Sequence, residues 1–197
     1  MSRVKIPLLI MGLTTSLFFC ATAQAGEASA SMLSDTCSGC HGPNGVTNGP
    51  AIPTIAGMTE EYLVLSMQDY RDDKRKGTVM NRIAKGYTDT EITAMARYFS
   101  EQEYASLTQS PDASMVARGD ELQQRYCNSC HEKSGVKADG IGVLAGQAMP
   151  YLSWTIADFM TGDRPMERRK QQKMDQLAAD AGDEGFHAVV QYYSSHK

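Results

Sequence analysis

The pentapeptide Cys37-Ser38-Gly39-Cys40-His41 constrains this chain more than any other stretch, and it recurs as Cys127-Asn128-Ser129-Cys130-His131. Cys-x-x-Cys-His is the attachment signature of c-type haem. Two thioethers fix the porphyrin and the following histidine reaches the iron from one face. All three side chains must meet one flat macrocycle within about one helical turn. The rest of the chain must then wrap two large apolar plates.

The two motifs head two copies of one unit. Ile52 to Gly57 (Ile-Pro-Thr-Ile-Ala-Gly) matches Ile141 to Gly146 (Ile-Gly-Val-Leu-Ala-Gly), and Tyr62-Leu63 matches Tyr151-Leu152. Asp69-Tyr70 matches Asp158-Phe159, Arg75 matches Arg164, and Ala94 to Phe99 matches Ala188 to Tyr193. The offset is 90 at the cysteines, 89 at the tyrosines and arginines, and 94 at the terminal helices, so the second copy carries five extra residues after Arg164. A duplication that holds register through so many positions predicts two structural units.

Each copy reads as mainly helical, and strand patterns are nearly absent. The expected fold is all-α: two tandem haem-binding domains, residues 26–102 and 113–197, joined by a polar linker over 103–112 containing Pro111. A helix over Ala28 to Thr36, or Met115 to Tyr126, leads into each motif, with Asp112 or Ser114 capping the latter. Gly42 to Pro53 is a Gly/Pro-rich loop. Thr59 caps the next helix, whose apolar residues Tyr62, Leu65, Met67 and Tyr70 fall near helical spacing. Thr88 with Glu91 forms a capping box before the stripe Ile92, Met95, Ala96, Phe99. In the second copy, Asp183-Glu184 lead into Phe186, Val189, Val190 and Tyr193.

The chain begins with the pattern of a secretory signal peptide over residues 1–25. Arg3 and Lys5 are followed by an apolar run from Ile6 to Cys20 and by Ala23-Gln24-Ala25. No later run is apolar enough to span a membrane. Cleavage near Ala25 places the mature chain in the periplasm and moves the formal charge from −4 to −6. That balance disfavours nucleic acid as a partner. The fifth cysteine, Cys20, lies in the leader, so the two motifs account for all the rest.

Two other chemistries use paired cysteines. A redox dithiol follows a strand in a βαβ pattern, which this chain lacks. Zinc needs four clustered ligands, whereas the motifs sit on separate repeats and only His187 and His196 remain as further histidines. The assignment is therefore two covalently bound haem c groups, on Cys37 and Cys40 and on Cys127 and Cys130. His41 and His131 are the expected proximal iron ligands.

The opposite axial ligands are methionine or histidine. Met80 is the first-copy candidate, in the loop Gly77 to Asn81 just before the capped terminal helix. The second copy offers two. Met174 lies nine residues before Asp183, as Met80 does before Asp89. Met166 instead follows Arg164-Pro165, with Pro165 expected in the first turn of a helix. The sequence favours Met166 and keeps Met174 open. His–Met ligation fills both axial positions, which points to electron transfer and away from oxygen or peroxide chemistry. Pro53 stands where a backbone carbonyl can accept the N–H of His41. The second copy has Gly142 there, so the two haems are expected to differ in potential.

The duplicated motifs, Tyr-Leu, and the pattern Phe159 to Arg164 together resemble tandem dihaem cytochromes c of the bacterial periplasm, over essentially the whole mature chain. Three further passages resemble the cytochrome subunit of flavocytochrome c sulfide dehydrogenase: Val79 to Tyr87, Leu144 to Gln147, and Arg164 to Glu167. That resemblance implies an FAD-containing flavoprotein partner that oxidises sulfide, with electrons passing from flavin to haem and on to a soluble acceptor. It also implies Met80 as an axial ligand. In the second half the family often carries another methionine where this chain has Arg168-Arg169-Lys170. Composition and spacing say nothing of sulfide. Two other readings stand beside this one: a free-standing shuttle to a terminal oxidase, and a dihaem peroxidase, disfavoured because each half offers a methionine. The basic run Arg168, Arg169, Lys170 and Lys173 is a solvated face or a steering surface for an acidic partner.

Overall fold

The computed structural model describes residues 28–136 and 141–197; the leader expected over residues 1–25 lies outside them. Among the described residues the regular elements are all helical: α1 (Ala30–His41), α2 (Glu60–Arg71), α3 (Met80–Ala84), α4 (Asp89–Ser100), α5 (Ala113–Tyr126), α6 (Met149–Thr161) and α7 (Arg168–Ser195). None is long and apolar enough to cross a membrane.

Local chemistry sets most of the boundaries. The Ser29 side chain accepts from the Met32 N–H, and Thr59 accepts from that of Tyr62. Asp112, not Ser114, caps α5, taking the N–H groups of Ser114 and Met115. Thr88 and Glu91 close the expected capping box on α4. Each cap satisfies otherwise orphaned amides and contributes about 1 kcal/mol. The apolar stripe of α4 faces inward, with Ile92 fully buried, a burial that stabilises by about 1.5–3 kcal/mol.

Three boundaries differ from the sequence reading. The first helix does not stop at Thr36 but runs through the cysteine motif to His41. A short 3-10 turn at Pro43–Gly45 then starts the loop. Met80 opens the short helix α3 instead of lying wholly in a loop. In the second copy the counterparts of α3 and α4 are joined as α7, interrupted at Gly182, where φ 58° and ψ −156° leave helical space. The sequence start at Asp183 is therefore the start of the second segment. The helix begins at Arg168, and Pro165 lies upstream of its first turn, because Glu167 is still extended at ψ 142°.

The two copies build adjoining cores. One gathers Leu122, Tyr126, Leu152, Leu177, Val189 and Tyr193 from α5, α6 and α7. The other holds Met58, Leu63, Ala96 and Phe99, together with Val143 and Ala145 from the second copy. Residues 103–112 are no free linker. Leu107 N–H donates to Gly146 O at 2.9 Å, Gln109 Nε2 donates to Gln147 O at 2.8 Å, and Asp112 N–H donates to Gln191 Oε1 at 2.9 Å. The segment is a strap fastened along the second copy.

A candidate dihaem centre

Helix α1 carries the first motif on its last turn, and α5 ends at Tyr126, where the second motif begins. Cys37 and Cys127 are half-buried, Cys40 and Cys130 are exposed, and all four are free thiols. Burial pushes the Cys127 thiol up to about 11 and raises that of Cys37. A redox dithiol needs the opposite shift, toward thiolate. A protonated thiol at an accessible helix end is compatible with covalent attachment to a vinyl group.

Burial likewise pushes the imidazole of His131 down to about 4 and lowers that of His41. Both rings are therefore neutral near pH 7, the form that ligates a metal. The Nδ1 of His41 lies 2.9 Å from Pro53 O. The carbonyl fixes Nδ1 as the protonated nitrogen and leaves Nε2 with a free lone pair. His131 differs. Its Nδ1 is buried without a hydrogen-bond partner, and its ring lies edgewise to Tyr193 at 6.1 Å.

The second motif opens onto a cavity of about 610 Å³, within the range of small-molecule and cofactor sites. Cys127, Cys130 and His131 line it, together with Met166 and Met174. Its walls are largely apolar, from Val143, Leu152, Phe159, Leu177 and Tyr193. The donor set suits a haem: two thiols beside an imidazole, soft sulfurs in the same space, and no smaller ion cage. Among the described residues no group of three or more His, Cys, Asp or Glu is gathered to hold a metal ion. Both methionines expected from sequence border the space.

In the first copy, Met80 is half-buried at the start of α3. Its neighbour Asn81 braces the preceding loop. Asn81 Oδ1 accepts from Gly77 N–H at 2.7 Å, while Nδ2 donates to the carbonyls of Tyr70 and Arg75, each at 2.9 Å. The Thr36 hydroxyl, one residue before Cys37, meets the Tyr87 hydroxyl at 2.8 Å, tying α1 to the turn after α3.

The repeat pairs from the sequence meet at the seam between copies. Arg164 Nη2 donates to the Tyr62 hydroxyl at 3.0 Å. Burial works against ionising Tyr151, yet Arg164 and Arg75 outweigh it and draw its phenol below the ordinary tyrosine range. The two guanidiniums cap equivalent rings, Arg75 over Tyr70 and Arg164 over Phe159, both at 4.5 Å. Tyr62, Leu65 and Arg75 of the first copy also line the second copy's cavity. Leu65, one of the apolar residues at helical spacing in α2, is exposed and borders the other half's site.

Sequence reading missed Gln147. It is fully buried, with Oε1 accepting from Thr54 N–H at 3.0 Å and Nε2 donating to Thr54 O at 2.8 Å. Its position in the repeat corresponds to Met58, so no duplicated polar partner signals it.

The family model "Cytochrome c" matches residues 25–107. The thiosulfate dehydrogenase electron acceptor of Thiomonas intermedia is 30% identical over 156 residues, covering 72% of this chain and 70% of that protein. The cytochrome subunit of sulfide dehydrogenase of Chlorobaculum tepidum is 42% identical over 73 residues, 37% of this chain and 66% of that protein. Among solved structures, reduced recombinant cytochrome c4 from Pseudomonas stutzeri superposes with a TM-score of 0.72 at 25% identity, covering 86% of this chain and all of that one. With the duplicated motif, the all-helical fold and the lined cavity, these likenesses place the chain in the dihaem class I cytochrome c family, as an electron-transfer protein of the cytochrome c4 type.

Proposed function

We propose that the chain is a periplasmic dihaem carrier that accepts single electrons from a dehydrogenase and hands them to a soluble acceptor. In this reading residues 26–102 and 113–197 are the two haem domains. Cys37 and Cys40, and Cys127 and Cys130, form the thioethers. His41 and His131 are the proximal ligands, with Met80 and Met166 opposite them and Met174 as the alternative in the second site.

The observation that carries the reading is the second cavity, where one apolar-walled space borders two cysteines, a neutral histidine and two methionines. Bound haem supplies a one-electron couple. The chain's residues supply the rest. Neutral imidazoles and thioether sulfurs give soft axial donors, and sulfur favours the ferrous form. Apolar side chains make up most of the wall. Filled axial positions leave small substrates no place to bind, which disfavours the peroxidase reading.

The donor is a flavoprotein that oxidises a reduced sulfur compound. Support comes from the Val79 to Tyr87, Leu144 to Gln147 and Arg164 to Glu167 passages, and from similarity to the cytochrome subunit of a sulfide dehydrogenase and to a thiosulfate dehydrogenase electron acceptor. A free-standing shuttle is the second reading, favoured by the match to the whole length of a cytochrome c4. Mass and visible spectroscopy of the purified protein test the core. Two covalent haems and a methionine–iron charge-transfer band are expected; one haem or none overturns the reading. Co-purification with a flavin-containing chain separates the two readings.

A further inference from the structure

The two copies share one repeat pattern, yet the seam treats their proximal histidines in opposite ways. On the first side Gln147 reaches across from the second copy and holds both backbone polar groups of Thr54. Thr54 follows Pro53, whose carbonyl faces His41 Nδ1 at 2.9 Å. The carbonyl is thereby immobilised from two directions, by the proline ring and by the other half's glutamine.

On the second side the traffic runs the other way. Tyr62 crosses from the first copy and is anchored there by Arg164. A Cβ at Gly142 would lie 2.8 Å from the Tyr62 hydroxyl oxygen and 2.9 Å from the ring carbon bearing it. Tyr62 thus stands in the space that a proline equivalent to Pro53 would need, and a side chain there would have to displace its phenol end. His131 Nδ1 is left buried and unpaired.

A histidine that donates its outer N–H to a carbonyl is the more basic ligand and favours the ferric state. A histidine without that bond is the poorer donor. The charges lining the second cavity act in the same direction. Arg75, Arg164, Arg169, Lys170 and Lys173 outnumber Asp69 and Glu167, and positive charge disfavours ferric iron.

We propose that the seam sets the direction of internal electron flow: Gln147 lowers the potential of the His41 site, and Tyr62 with Gly142 raises that of the His131 site. One electron leaves the first site, which goes from ferrous to ferric, and arrives at the second, which goes from ferric to ferrous. No proton and no further reactant enter. Gln147, Tyr62 and Gly142 are positioning residues, acting through Pro53 and through the room beside His131. The proposal rests on both halves carrying haem.

The test is NMR of the half-reduced wild-type holoprotein, with the second haem identified through its contacts to Tyr193. The electron is expected on the second haem by about tenfold or more, one hydrogen bond's worth, which is about 59 mV for a one-electron couple. The His41 ring N–H should resonate as a strong hydrogen-bond donor and exchange slowly, and that of His131 should not. Gln147→Leu and, independently, Pro53→Gly should narrow the gap by raising the first potential alone. An electron resting on the first haem, equal hydrogen bonding at the two rings, or a gap unmoved in both variants overturns the proposal. A haem count below two overturns the dihaem reading itself, and this proposal with it.

Discussion

Gln147 and Thr54 stand 93 positions apart, and the glutamine amide closes a two-bond ring on the Thr54 backbone, at 3.0 and 2.8 Å, inside the seam between the copies. A buried amide paired in this way specifies one register for the two halves, because a slip in either direction strands four polar groups.

Replacing that amide with an apolar side chain therefore costs more than a typical buried contact. Gln147→Leu leaves the Thr54 N–H and carbonyl buried without partners, at about 1–3 kcal/mol each. Denaturant unfolding of the holoprotein should show a loss of about 2–6 kcal/mol, with the haem content unchanged.

A close approach of two helices gives a second prediction. Gly119 on α5 lies against α7, where an added Cβ would stand 2.1 Å from Ala188 O and 2.6 Å from Tyr192 Cβ. The obstacle is backbone, which cannot rotate away. Gly119→Ala should lower the holoprotein's stability by about 1–3 kcal/mol or more, read as a fall in Tm. Gly39→Ala should not, because nothing lies within 4 Å of its added methyl.

The seam also predicts a pH dependence. Tyr151 is half-buried, which opposes its ionisation, but Arg164 and Arg75 draw its phenol below the unfolded value, which is about 10. A group depressed on folding contributes stability that is fully present above its unfolded pKa and is lost as pH falls through the folded one. Unfolding free energy of the wild type minus that of Tyr151→Phe should therefore rise as pH is raised toward about 10. Other tyrosines cancel in the difference. A flat difference would show that the two arginines do not reach the phenol.

The two methionines at the second cavity separate by substitution. Met166→Ala is expected to abolish half of the methionine–iron charge-transfer intensity while Met174→Ala retains it. The reverse result assigns Met174. In either case the Cys37–His41 site keeps its half, and Met80→Ala removes it.

Much of this was legible because it depends on neighbours in the chain. The caps at Thr59, Thr88 and Asp112 join residues within three positions of one another. The α4 stripe follows helical period, and the Pro53 carbonyl was foreseeable from the loop beyond His41. What escaped depends on how distant segments meet. The Gln147 grip, the strap over 103–112 and the intrusion of Tyr62 beside Gly142 each need the seam's register, which no local pattern encodes. The matched pairs Tyr62/Tyr151 and Arg75/Arg164 did show in the repeat, but not that they would converge on one another.

That convergence bears on how the two halves can differ. Arg164 serves the tyrosine of the other copy, while Arg75 and Arg164 both act on Tyr151, so each half supplies the same tools to one shared boundary. Self-complementary boundaries of this kind belong to symmetric pairs of identical molecules. A boundary of that kind inside one chain lets each half change away from the seam while the reciprocal arginine–tyrosine fit keeps them joined.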